Sequence, residues 1–192
     1  MVTNYYKLLL LILVTLQLGG CAAVAVTGVA AGAAVAADRR TTGTVIEDQA
    51  IELKASELIY ADDELHDNTH INVTSYNTIV LVTGEAPSDE MRQRIIEIVR
   101  NIEKVSSVHN EITIAAPSSF MSRSSDSVIT SKVKAQLATS RTASAMATKV
   151  VTEKGVVFLM GLVTRQQGER ATEIARTTGG VQRVVRLFQY VD

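Results

Sequence analysis

Two stretches of this chain, INVTSYNTIVLVTGE (Ile71 to Glu85) and KVVTEKGVVFLMGL (Lys149 to Leu162), align with Val73 over Val150 and Gly84 over Gly161. Internal repetition constrains the fold more tightly than composition does, because whatever one copy forms the other must form too. In each copy two β-rich runs flank a turn, near Asn77 in the first and at Lys154-Gly155 in the second, which predicts a hairpin. Upstream lie Ile51, Ala55 and Ile59 in one copy and Ile129, Val133 and Leu137 in the other, spaced to form one stripe of a helix. Asp48 and Asp126 precede these stripes where an N-cap or first-turn acid would sit. Downstream, SDEMRQRIIEIVRNIEKV pairs with RQQGERATEIARTTGGV. Ile95, Ile98, Val99 and Ile102 then correspond to Ala171, Ile174 and Ala175, and Gly179 is expected to end the second helix. A last strand starts near Val108 and again near Val184. The expected fold class is α+β: two tandem domains, 44–116 and 117–192, each helix, strand, strand, helix, strand, with the helices packed on a small three-stranded mixed sheet.

Ahead of the repeats, Lys7 precedes the apolar run LLLLILVTLQL from Leu8 to Leu18, followed by Gly19, Gly20 and Cys21. These are the parts of a secretory signal. Cys21 is the sole cysteine in the sequence, so within a monomer neither a disulfide nor a structural zinc site has its ligands. LGGC resembles the lipobox of bacterial lipoproteins. That resemblance implies removal of residues 1–20, acylation of Cys21 on sulfur, and a third acyl chain on its amine. Several chains hold a protein on a membrane where one is marginal. The competing reading is an uncut anchor, since no charge interrupts Leu8 to Ala37, although the glycines and alanines make a poor spanning helix. Ala22, where retained lipoproteins carry Asp, implies by the same resemblance the outer membrane, facing the periplasm. Residues 21–43 read as an Ala/Val/Gly-rich tether, either with Arg39 and Arg40 near lipid headgroups or as a plain linker.

A net charge of −1 conceals a division between the copies. Thr44 to Ile114 contains 14 acidic and 5 basic residues, net −9, whereas Ser118 to Asp192 contains 5 and 11, net +6. The acidic excess is concentrated in EDQAIELKASELIYADDELHD, which suits solvent, a basic partner or a second copy, and not an anionic membrane. Between Arg123 and Lys149 the chain instead has Arg123, Lys132, Lys134, Arg141 and Lys149 against Asp126 alone. On a helical wheel Val128, Ser131, Lys132 and Ala135 share a face beside the core stripe, with Lys134 further round. A valine beside lysines that can snorkel suits shallow insertion among anionic headgroups, and a solvated helix face is the plain alternative.

Catalytic constellations are missing from the sequence. His66 and His70 stand four apart among Asp62, Asp63 and Asp67, superficially a metal site, but DDELHDNTH reads as a solvated acidic loop between helix and hairpin. No phosphate loop, nucleophile elbow or HExxH is present, so the expectation is a non-catalytic protein with no metal and no cofactor. Aromatics are 4% with no Trp, a poor basis for stacking on bases, and a secreted lipoprotein does not meet the genome, so nucleic acid is not an expected partner.

The segments LGGCAAVAV, INVTSYNTIVLVTG, SDSVITSKVKAQL and VVFLMGLVT together resemble the dual BON (bacterial OsmY and nodulation) domain family of outer-membrane lipoproteins. The resemblance implies a phospholipid-binding role for the second BON domain and support of outer-membrane integrity. Together with the wheel and the basic run, this gives the expectation that the first helix of that domain meets the anionic membrane through Val128, Ser131, Lys132, Lys134, Ala135 and Arg141. The alternative is a periplasmic adaptor that binds an envelope protein, such as the outer-membrane protein assembly machinery, through the acidic copy.

Overall fold

The computed structural model describes residues 38–140 and 147–192. The signal segment, Cys21 and Arg141 lie outside the described residues. Helix α1 spans Thr42–Tyr60, and its N-cap is Thr41, whose side chain accepts from the Thr44 amide at 3.1 Å. The stripe Ile51, Ala55 and Ile59 is buried as expected. Asp48 is not a cap: it lies two turns inside the helix and is itself buried. Arg40, ahead of the helix, pairs with Asp48 at 2.7 Å and covers the Tyr76 ring at 3.9 Å, while Arg39 donates to the Leu162 carbonyl.

The segment expected as a loop contains a short helix, α2 (Asp63–Asn68). Asp62 caps it by accepting from the Leu65 amide at 3.3 Å, and Leu65 is fully buried. Apolar periodicity is silent over a helix that has only one core residue, so the cap is its main local signal.

Strands β1 (His70–Tyr76) and β2 (Ile79–Ala86) are antiparallel, with Tyr76 opposite Ile79. The two residues between them, Asn77 and Thr78, have φ of 50° and 64°, the left-handed pair that a two-residue hairpin matched to strand twist requires. Helix α3 (Asp89–Arg100), capped by Ser88, returns the chain so that β3 (Ser107–Ile114) runs parallel to β2. The second copy repeats this with α4 (Phe120–Thr139), β4 (Thr148–Glu153), β5 (Val156–Val163), α5 (Arg165–Thr177) and β6 (Arg183–Tyr190). Its turn is Lys154-Gly155, again with both φ positive, and β5 lies between antiparallel β4 and parallel β6. Thr164 and Gln167 form a reciprocal capping box on α5. That helix stops at Thr177, capped by Thr178, and the left-handed position falls on Gly180, not on Gly179.

Each sheet is apolar on both faces. The helix-side faces close two cores, one containing Ile51, Val80, Val82, Ile95 and Val99 and the other Val133, Leu137, Val157, Leu159 and Ala175. The opposite faces cover each other through Tyr76, Leu81, Phe158 and Met160. The layers therefore run helices, sheet, sheet, helices, in one unit from Arg39 to Asp192, with α1 and α4 in opposite outer layers.

Candidate functional site

Helix α4 begins at Phe120, behind the N-cap Ser119, earlier than its apolar stripe reveals. Ile129, Val133 and Leu137 are buried against the sheet. Val128, Ser131, Lys132, Lys134 and Ala135 are all exposed, with Val128 at 51%. Four of these share the outward face, and Lys134 lies round its flank. Met121, 80% exposed on the first turn, joins Val128 on the outward face. It escaped the sequence reading because MSRSS carries no core residue to reveal a helical turn there.

Asp126 does different work from the cap assigned to it. Its two carboxylate oxygens accept from the amides of Lys154 and Gly155, at 2.8 and 2.9 Å, so the helix holds the hairpin turn from beneath. Asp48 does the same in the first copy, accepting from the amides of Asn77 and Thr78 at 2.7 and 2.8 Å and from the Ser75 hydroxyl. In the second copy this tie brings α4, the Lys154-Gly155 turn and the Gly179-Gly180 loop around a shallow groove of about 350 Å³, whose rim includes Val128 and Lys132.

The basic run from Arg123 to Lys149 is divided by the fold. Lys149 turns inward to Glu52 at 2.7 Å, and Arg123 donates to the Ser118 carbonyl at 2.8 Å. Lys132 and Lys134 remain as exposed cations on α4. Two more cations of the second copy reach acids of the first, Lys154 to Glu85 at 2.8 Å and Arg183 to Glu111 at 3.7 Å. Glu85 is fully buried. Burial pushes its carboxyl up, but the adjoining Lys154 ammonium and Ser118 outweigh that and hold it below the usual carboxylate range. Glu153 is pushed up, first by burial and then by the charges of Glu85 and Asp126.

The two histidines of the acidic segment diverge. His66 pairs with Asp67 and stacks edge-on against Tyr60, whereas His70 begins β1 with Nδ1 3.6 Å from Glu85. Among the described residues no group of three or more His, Cys, Asp or Glu side chains is arranged to hold a metal ion. No helix among them is long and apolar enough to cross a membrane.

A family description, the BON domain, matches residues 47–116 and again 125–192. The chain is 36% identical over 186 residues to "Outer membrane lipoprotein DolP" of Haemophilus influenzae, covering 97% of this chain and 96% of that protein. It is 32% identical to the "21 kDa hemolysin" of Actinobacillus pleuropneumoniae, over 81% of this chain and 80% of that one. It is also 29% identical to "Osmotically-inducible protein Y" of Escherichia coli, over 82% and 80% respectively.

Proposed function

Because this chain belongs to the dual BON-domain family that includes DolP, we propose that it is an outer-membrane lipoprotein anchored at Cys21, whose second BON domain binds anionic phospholipid through α4. The observation that carries this reading is the outward face of α4, where half-exposed Val128 and exposed Met121 stand beside Lys132, with Lys134 on the flank. Apolar side chains enter the headgroup boundary while lysine stems lie along it with their charges outward. Each cation near such a surface contributes about 1 kcal/mol, enough to select lipids once the acyl chains have set attachment. The protein supports envelope integrity as a binding module at the periplasmic face and performs no catalysis.

Residues 39–192 form one unit that holds the three apolar cores found among the described residues, and this unit, without the anchor, serves for the test. Co-sedimentation with vesicles should require anionic lipid and weaken with salt, and Lys132→Glu should weaken it about tenfold or more. Val128→Glu should abolish it. Binding unchanged by both substitutions would sink the assignment to α4.

A second reading is favoured by the exposed acids Asp63, Glu64 and Asp67 on α2. As an adaptor, the first domain would present them to a basic envelope protein, such as the outer-membrane protein assembly machinery. Asp63→Lys with Asp67→Lys should then abolish a pull-down and leave vesicle binding alone. Asp62 is spared in this test because it caps α2 and pairs with Arg94.

A further inference from the structure

Helix α1 is apolar on two sides. Its core stripe faces the sheet, yet Ile46, Leu53 and Tyr60 are exposed, Leu53 at 72%, and their spacing sets them on one line with Ala50 and Glu57 on the far side of the helix. Scattered exposed apolar residues need no explanation, but a continuous stripe along an outer helix marks a contact surface. Its charged surroundings are acidic in balance, with Glu57 within it and Glu47 beside it against Lys54 on the same flank. On the opposite outer layer α4 presents the converse, Met121 and Val128 beside Lys132. The seam inside the molecule already uses this sense of pairing: Glu52, Glu85 and Glu111 of the first domain meet Lys149, Lys154 and Arg183 of the second.

We propose that the outward face of α1 docks on the outward face of α4 of a second copy, joining chains head to tail. A symmetric α1-to-α1 contact would join two faces with an acidic excess, and a symmetric α4-to-α4 contact would join two lysine-bearing faces. Charge therefore selects the heterologous arrangement. Since the two faces occupy opposite outer layers, the contact leaves a free face at each end and extends into chains. The α4 face is the one assigned above to lipid, so a copy seated on anionic lipid through α4 can accept a neighbour only through α1. The docking itself does not depend on the lipid assignment.

Sedimentation velocity of residues 39–192 without lipid tests this directly. The weight-average coefficient should climb with concentration at low salt and return to the monomer value as salt rises. Leu53→Glu removes one face and Lys132→Glu weakens the other, so each variant alone should sediment as a monomer. Mixing the two should produce a one-to-one dimer, since each supplies the face that the other lacks. A wild-type chain that stays monomeric at every concentration overturns the proposal, as does a mixture that fails to complement. A Lys132→Glu chain that still self-associates points to a symmetric contact and overturns it equally. Anionic vesicles, added last, should dissolve the wild-type chains if α4 also reads lipid. Self-association untouched by vesicles would leave the docking standing and remove the lipid assignment alone.

Discussion

Gly84 and Gly161 occupy the same place in the two domains, where the middle strand passes the start of the first. A Cβ on Gly84 would lie 1.9 Å from the His70 carbonyl oxygen, and one on Gly161 would lie 2.3 Å from that of Ala147. Gly84 also has a φ of 119°, so it resists a side chain on two counts and Gly161 on one. Gly161→Ala should lower stability by about 1–3 kcal/mol, and Gly84→Ala by more, as read from denaturant midpoints at constant slope. Equal midpoints for wild type and both variants would show that the strands can part without cost. Alignment of the repeats makes the pairing of these glycines legible in the sequence. Its cause is not, because each obstructing carbonyl belongs to the far end of a hairpin whose register is set by the turn.

Among the elements, each leading helix is joined to its hairpin by one buried aspartate. The sequence places Asp48 and Asp126 correctly in the repeat and misassigns their task, because both helices begin before their apolar stripes, at Thr42 and Phe120. True caps at Thr41 and Ser119 stand among polar residues that carry no periodicity. What the sequence does hold is a shared interval: Asp48 reaches Asn77 and Asp126 reaches Gly155 across the same separation of 29 residues. Asp126→Ala would leave the amides of Lys154 and Gly155 without acceptors, at a cost of about 1–3 kcal/mol for each group that water cannot reach. Accelerated hydrogen exchange at those two amides, with the α4 amides unchanged, is the expected signature. Exchange as slow as in wild type would mean that the turn stands without the helix. The same variant should weaken binding to anionic vesicles, since the turn walls the groove beside Lys132.

At the scale of the whole molecule, the strand segments LVTG and FLMG are apolar on both faces, which the sequence shows, but not that each would find its cover in the other domain. The opposite charges of the two copies foreshadow the pairs at the seam without fixing their geometry, because screened attraction over about 8 Å selects no one arrangement. Protons act on this seam from two directions. Glu85, held below its ordinary range, contributes stability that is present above its unfolded value and is lost as pH falls through the lower folded value. Glu153, held above it, takes up its proton more readily in the folded chain, so stability rises as pH falls through that raised value and the gain is lost as pH climbs back. Glu153→Gln should therefore melt at a higher temperature than wild type near neutral pH, with the difference closing in mild acid, whereas Glu85→Gln should melt lower near neutrality. Melting curves for Glu153→Gln that run parallel to wild type across this range would refute the assignment. The seam also governs how such a protein diverges after duplication. Leu81, Phe158 and Met160 share one interior, so a change in either sheet must be answered by its counterpart. Among the described residues the outward sides of α1 and α4 take no part in the apolar cores, and it is there that two copies of one ancestor are free to acquire separate trades.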